Sequence, residues 1–482
     1  MFESYSKPTL NHSRLRITSR NRARQGFVLP TAAALMVCCV PLCGLAVDVG
    51  TFYMIQSKLQ AAADAGALSG ARSLARGSNS AAQITNAQTT ATNFLNANFP
   101  SGYLNSSNLT IPTPTVTLDA TNAQRSVAVN PTVRAPHMFF LWFSNVAGTY
   151  TTVGATSTAT RRDVNVMMVM DRSGSLAASS SCTPLKNAAV NFVNKFAEGR
   201  DYVGLTTFAT SYQVDVALSQ TFKTNVTTGI NAITCSGSTS SAAGLWTGYR
   251  ALASLAQPAA LNVILFFTDG DPTSVTADFA IKAASSCTVK TNRTGVVTTA
   301  GSEIRGIMTG TPQSPIASND AVAASNSSGC AYNASWQSNR YLMGNDVTGI
   351  PSTDAFGNSL TFSYLSVTTA SGMLAAASNS TNSANFLNAS YNAAASAADR
   401  IRSAASPGNG AAALNNVVIY SIGLGGSGSA SDDFLQYVAN DPSNTSHYNS
   451  NQMPGIYVYA NNSSALASAF DRIASEILRI SQ

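Results

Sequence analysis

Two apolar runs, each ending in an aspartate, constrain this chain more than any other feature. The first, Val164 to Met170, is apolar except for Asn165 and leads into Asp171-Arg172-Ser173-Gly174-Ser175. The second, Leu261 to Thr268, leads into Asp269-Gly270. Short, nearly continuous apolar runs of this kind suit strands covered on both faces, as in a parallel sheet flanked by helices. The intervening pattern agrees. Pro184 to Ala197 reads as a helix with Leu185, Ala188, Ala189, Phe192, Val193 and Phe196 on one face. Val203–Phe208 and Gln213–Leu218 read as a hairpin, and Ala242–Leu255 as a helix. Beyond Asp269, the stretch of about 272–390 is rich in Ser, Thr, Asn, Ala and Gly, and is too long for a plain loop in a compact domain, so it is expected to be an insertion. Tyr391–Ser403, Ser431–Asn440 and Ser463–Ile480 then read as helices, and Asn416–Leu424 and Gly455–Ala460 as strands. The expectation is an α/β domain over 163–482, a doubly wound, mostly parallel sheet.

In such a sheet, ligands bind beyond the carboxyl ends of the strands, where the strand order reverses. Asp171, Ser173 and Ser175 put three oxygen-bearing side chains at alternate positions around a glycine turn. By itself that is ordinary loop chemistry. Thr239, however, sits in a loop of small residues, Cys235 to Leu245, between the two aspartate-ended strands. Asp-x-Ser-x-Ser, a loop Thr, then strand-Thr-Asp-Gly, in that order, resembles the metal-ion-dependent adhesion site of von Willebrand factor A domains. The resemblance implies Mg²⁺, with Mn²⁺ or Ca²⁺ as alternatives. Ser173, Ser175 and Thr239 would touch the ion through hydroxyls, and Asp171 and Asp269 directly or through water. One coordination position would stay open for a carboxylate on a protein partner. These residue types suit a hard cation that prefers oxygen ligands and keeps several waters. The site is expected at the surface of the sheet's end, so that losing Asp171 would leave the fold largely intact.

Little else in the chain offers chemistry. His12, His137 and His447 are far apart, and neither a Ser/His nor a Cys/His pairing is evident, so an enzyme is not expected. A metal-dependent hydrolase is the alternative of that class. Gly423-Leu424-Gly425-Gly426-Ser427-Gly428 satisfies a dinucleotide-binding spacing, but follows a late strand rather than opening a βαβ unit, and reads as a glycine turn. Of the net charge of +6, the first 24 residues carry +5, through Lys7, Arg14, Arg16, Arg20, Arg22 and Arg24 against Glu3. The remainder is nearly neutral, which argues against a nucleic-acid partner. Outside the apolar N-terminal run lie Cys182, Cys235, Cys287 and Cys330, an even number without C-x-x-C, as suits disulfides in an oxidising compartment. If two loops meet at a metal, as the resemblance implies, Cys182 pairs with Cys235, leaving Cys287 for Cys330.

Residues 1–25 read as a basic cytoplasmic tail, and 26–47 as a transmembrane anchor: Gly26 to Val47 contains no charge. A run of about 20 apolar residues spans a bilayer, and the basic flank places the N-terminus inside. The bulk of the chain would then be periplasmic or otherwise extracytoplasmic. Gly44-Leu45-Ala46 would serve a signal peptidase in the competing reading, a secreted soluble adhesin. Beyond the run, Ala62, Gly66 and Gly70, and likewise Ala63, Ala67 and Ala71, form small ridges on a helix. These suit either a partner or the chain's own domain. The apolar run followed by A-V-D-V-G-x-x-Y and L-Q-x-A-A-D-A-G-A-L-S-G-A resembles TadG-like proteins of the Flp (tight-adherence) pilus assembly system. Asp48, Gly50, Tyr53, Leu59, Gln60, Ala63, Asp64, Leu68, Gly70 and Ala71 carry the match. It implies a single-pass bacterial inner-membrane protein whose partners are pilus or pseudopilin components. Residues 48–160 complete the reading as an N-terminal helix and a small α+β module, with a helix at Ala81–Asn98 and strands at Thr115–Asp119, Arg125–Val133 and Tyr150–Ala159; the apolar Pro136–Phe143 reads as core, with a patch resting on the membrane or a partner as the alternative. N-terminal sequencing of the mature protein should find the tail intact; a start at Val47 would contradict the anchor.

Overall fold

The computed structural model describes residues 28–74, 80–119, 123–139, 149–279, 293–300, 303–308, 349–369, 380–425 and 431–481. The basic tail, the start of the apolar run, Phe140–Phe143, much of the insertion and the Cys287–Cys330 pair lie outside these residues. In chain order the elements are α1 (Val28–Ser73), α2 (Ser80–Asn98), β1 (Ser107–Thr110), β2 (Thr115–Asp119), β3 (Gln124–Val129), β4 (Thr132–Pro136), β5 (Tyr150–Gly154), β6 (Ser157–Arg162) and β7 (Val164–Asp171). They continue as α3 (Gly174–Ala178), α4 (Cys182–Val193), β8 (Tyr202–Phe208), β9 (Tyr212–Ser219), α5 (Lys223–Ala232), α6 (Ser241–Ser254), β10 (Leu261–Thr268), β11 (Ser274–Phe279), β12 (Arg293–Ala300) and β13 (Glu303–Met308). The last are α7 (Ser380–Arg402), β14 (Val417–Leu424), α8 (Asp432–Ala439), β15 (Tyr457–Ala460) and α9 (Leu466–Ile480).

The chain forms two compact units. One comprises Met1–Leu59, Phe99–Thr110 and Pro131–Ala155; the other comprises Gln60–Asn98, Ile111–Asn130 and Thr156–Gln482. α1 runs unbroken through Val47 and Asp48. The first unit holds the N-terminal part of α1 and an antiparallel sheet of order β1-β4-β5. The segment expected as one strand over Arg125–Val133 is instead β3 and β4, parted at Asn130-Pro131. A proline there has no N–H for a ladder, and its carbonyl accepts the Ala155 N–H at 3.0 Å. Tyr150–Ala159 divides likewise into β5 and β6.

The second unit is built on a six-stranded sheet of order β15-β14-β10-β7-β8-β9, parallel except for β9. Alternate side chains of its strands serve two cores. Met167, Val169, Ile264 and Phe266 face α6, α7 and α8, while Val166, Met168, Val263 and Leu265 face α4, α5 and α9. Full burial of such side chains is worth about 1.5–3 kcal/mol each, which explains why both faces of β7 and β10 are apolar. Asn165 and Asn262 interrupt them together: they are register partners, and the amide of Asn165 donates to Asn262 at 3.0 Å. Every residue expected on the inner face of α4 is buried, as are Leu466, Phe470, Ile473 and Ile477 of α9, with Leu478 half-buried.

Below β7, at the end away from Asp171, a buried charge cluster joins the β2-β3-β6 sheet to the α/β domain. Arg125 lies 3.4 Å from Asp163, and its guanidinium also donates to the Gly199 carbonyl at 3.0 Å. Arg200 pairs with Asp201, whose carboxylate accepts the backbone N–H of Val164. Burial pushes the Asp163 carboxyl up to about 6 and, with Arg200 close by, lowers Arg161 to about 10.

Beside the short β1 and α3, the sequence reading missed elements of the α/β domain. α5 is short and threonine-rich. Within the insertion, β11-β12-β13 form an antiparallel sheet. α7 begins at Ser380 rather than Tyr391, because its first turns are mostly Ser, Thr and Asn, and Asn382, Ser383, Asn385 and Ser390 are buried there beside Phe386 and Ala389, which leaves no apolar stripe.

The small ridges of α1 are used within the chain. A Cβ at Gly70 would lie 3.0 Å from both Ala91 Cβ and Val127 Cγ1, and Ala62, Ala63, Ala67 and Ala71 are buried. Gly70→Leu should therefore destabilise the second unit by about 1–3 kcal/mol through overpacking. Chemical denaturation measures this; an unchanged midpoint would show that α1 does not pack on α2 and β3 in this way.

Candidate metal-binding site

Parallel pairing of β7 with β10 sets Met170 opposite Phe267, so Asp171 and Thr268 end the two strands side by side. The Thr268 hydroxyl donates to one oxygen of Asp171 at 2.6 Å, and the Ser173 N–H donates to the other at 2.7 Å. One residue further along, Asp269 accepts from the hydroxyls of Ser175 at 2.7 Å and Ser173 at 3.3 Å. Those two hydroxyls are 2.9 Å apart. Four of the five residues singled out by sequence thus belong to one hydrogen-bonded cluster. Ser175 is exposed, so the cluster opens to solvent on that side.

Thr239, the fifth, lies on a loop fastened to the same corner. Gly174 N–H donates to the Gly237 carbonyl at 2.9 Å, and Ser236 N–H to that of Arg172 at 2.7 Å. On its other side the Thr239 carbonyl accepts from Thr273 and Ser274, just past Asp269. Gly237 has φ of +92°, a backbone state that favours glycine. The Cys182–Cys235 disulfide forms as expected and ties this loop to the start of α4. Among the described residues, the Thr239 hydroxyl has no hydrogen-bond partner, and the loop's other bonds hold the backbone rather than that side chain.

One expectation is corrected here. Asp171 is not at the surface: it is fully buried, and Asp269 is only 8% exposed. Burial first, and then the neighbouring Asp269, push the Asp171 carboxyl up to about 7; burial also raises Asp269. Arg172 offers no relief, because its guanidinium turns to Thr207 and Ser211. Removing Asp171 would strip Thr268 and the Ser173 amide of an acceptor inside the protein, so a structural cost is expected as well.

Sequence reasoning missed the supporting residues. Thr268 was read as the end of a strand, yet it holds Asp171; Thr273 holds the Thr239 loop. The polar residue closing an otherwise apolar run was the available signal for Thr268. Just beyond, Asp271 accepts from the Tyr391 hydroxyl, a contact across the insertion that no local pattern announces.

The donor set is two carboxylates and three hydroxyls, all hard oxygens, which fits Mg²⁺. Among the described residues no group of three or more His, Cys, Asp or Glu side chains gathers to offer another kind of metal site.

Comparison with known proteins agrees with this architecture. The family model of the von Willebrand factor type A domain matches residues 166–271, and that of putative Flp pilus-assembly TadE/G-like proteins matches residues 26–73. Solved structures to which the chain shows similarity include the PilB minor pilin from Streptococcus sanguinis, at 14% identity over 78% of this chain and 79% of that one, with a TM-score of 0.35. They also include the vWF domain of the type V pili tip protein Mfa5 from Porphyromonas gingivalis, at 17% identity over 67% and 98%, with a TM-score of 0.37. A third is a von Willebrand factor type A protein from Catenulispora acidiphila, at 10% identity over 77% and 51%, with a TM-score of 0.32. Scores this low carry no inference about what this chain does. No curated protein matches it.

The carboxylate pair has a pH signature. In metal-free buffer the folded state holds protons on Asp171 and Asp269 that the unfolded chain releases near pH 4. Stability should therefore fall as pH rises from about 4 to 7. Asp163 and Asp354, both raised to about 6, add to the same slope, so the informative quantity is wild type minus Asp171→Asn. Denaturant melts in chelator across that range should show a shallower decline for the variant; parallel curves would mean that the two carboxylates do not face each other.

Proposed function

We propose that this chain, which joins a TadE/G-like N-terminal segment to a von Willebrand A domain, is a membrane-anchored, outward-facing binding protein that helps assemble or anchor a Tad-type pilus. It would engage a carboxylate on a protein partner, a pilus or pseudopilin component, through Mg²⁺. The observation that carries this reading is the joining of two buried carboxylates through Ser173, whose N–H donates to Asp171 and whose hydroxyl donates to Asp269, with no basic side chain bonded to either among the described residues and one exposed edge at Ser175. Ser173, Ser175 and Thr239 would hold the ion through hydroxyls, and Asp171 and Asp269 directly or through water. Bound there, Mg²⁺ would offset the repulsion between the aspartates and present a Lewis-acidic position to an incoming carboxylate. Thr268 and the Ser173 amide orient Asp171, while the Thr273 contacts and the Cys182–Cys235 link hold the Thr239 loop in place.

Anchoring rests on α1. Its Pro30–Ser73 portion reaches a mean hydropathy of 2.2 over a window of which only 11% is buried. Leu35, Met36, Val37, Val40 and Leu42 are all more than half exposed, a costly arrangement in water and a favourable one in lipid. The basic residues before it favour a cytoplasmic N-terminus.

Metal binding should stabilise the fold by mass action. Mg²⁺ at ten times its dissociation constant contributes about 1.4 kcal/mol. Thermal melts of wild type and Asp269→Asn, each in Mg²⁺ and in chelator, test this. The gain should appear in wild type and vanish in the variant. Identical wild-type melts in both buffers, with no heat on titrating Mg²⁺, would end the metal-site reading.

A further inference from the structure

We infer that the Met138–Phe139 turn is a second contact with the lipid bilayer, seated at the boundary of headgroups and acyl chains against the membrane-crossing part of α1. The inference rests on the reading of α1 as an anchor. Along α1 one stripe is covered, formed by Gly44, Asp48, Thr51, Ile55 and Leu59. Around it, Leu42, Leu45, Val47, Val49 and Tyr53 stay between 42% and 71% exposed. The covered stripe therefore begins inside the charge-free run, not after it.

Phe139 lies over Gly44. A Cβ added there would come within 2.8 Å of Phe139 Cβ and 2.9 Å of Cγ, so only glycine admits the phenylalanine so close. Four residues on, the Asp48 carboxylate accepts the N–H groups of Met138 at 2.9 Å and Phe139 at 3.2 Å. The turn is braced from behind. His137 Nε2 is 2.7 Å from the Thr151 hydroxyl, the His137 N–H donates to the Thr149 carbonyl, and its ring packs 5.5 Å from that of Phe52. This position is thus held by both strand and helix. Yet Met138 is 41% and Phe139 51% exposed, so these two residues are surface rather than core, while His137 behind them is buried.

Depth follows from helix geometry. At 1.5 Å per residue the described part of the run, Val28 to Val47, is about 30 Å long, the thickness of a hydrocarbon core. Gly44 then lies roughly 5 Å inside its outer end, the depth at which interfacial apolar side chains settle. A group in contact with Gly44 shares that level. Asp48, about 6 Å higher along the helix, sits where an unpaired carboxylate would be costly, and the two backbone N–H groups of the turn meet that cost. This gives Asp48 of the A-V-D-V-G motif a physical role: it locks an apolar turn to the helix at the membrane surface.

The test uses the full chain in vesicles of phosphatidylethanolamine and phosphatidylglycerol, with a photoreactive phenylalanine analogue placed in turn at Phe139, at Val40 within the span, and at the exposed Thr110 on β1, opposite Thr132 at the end of β4 away from the turn. Lipid adducts are expected at the first two positions and not at the third. Adducts at Val40 without any at Phe139, or adducts from Phe139 to protein alone, overturn the inference and leave the anchor standing. Absence at both removes the anchor reading and this contact with it. Because the analogue is bulkier than phenylalanine, Phe139→Trp supplies a second measurement. Brominated acyl chains should quench its fluorescence more than that of wild type, and equal quenching overturns the contact.

Discussion

The α/β domain depends on the parallel pairing of β7 with β10. That one register puts Asn165 beside Asn262 in the middle of the sheet and Thr268 beside Asp171 at its end. It sends the alternate side chains of both strands into two separate cores. A slip of one residue would turn every one of those side chains to the opposite face. The same register brings two carboxylates together with no counter-charge bonded to either among the described residues. Such an arrangement is unfavourable in an empty site and becomes favourable once a cation, or a proton, is supplied. The fold's cohesion and the site's chemistry thus follow from one set of hydrogen bonds.

α1 serves two environments along one continuous helix. Near its N-terminus large apolar residues are exposed, which suits lipid. Past Gly66 its small residues are buried against α2 and β3, where the absence of bulk lets backbones approach. Between the two regimes lies Asp48, a buried carboxylate that the chain keeps by giving it backbone N–H partners. The A-V-D-V-G segment is therefore physically a junction: exposed and apolar on its N-terminal side, polar and satisfied at Asp48.

Several features were legible in the sequence because they depend on local pattern or on residue chemistry. The aspartate-ended strands, the amphipathic α4 and α9, and the oxygen-only donor set belong here. So does the pairing of Cys182 with Cys235, once the Asp171 turn and the Thr239 loop were taken to converge. The divided strands of the small sheets were less legible, since a single Asn-Pro step and a single Ala-Thr step decide where each changes partner. α7 hid its N-terminal turns because they bury asparagines and serines, so no apolar stripe marks them. The role of Thr268 was hidden for another reason: a threonine closing a strand looks the same whether its hydroxyl meets water or a buried carboxylate.

The amino-acid sequence by itself determined the fold class, the apolar run at the N-terminus and the identity of the five candidate ligands, because periodicity, run length and donor type are properties of adjacent residues. Only the tertiary structure decided that Asp171 is buried rather than displayed, that Thr239 is fastened from both sides, and that the ridges of α1 are occupied within the chain. It alone showed that Phe139 rests on Gly44. Each of these turns on contacts between residues far apart in sequence, and burial is a property of what packs against a residue, not of the residue.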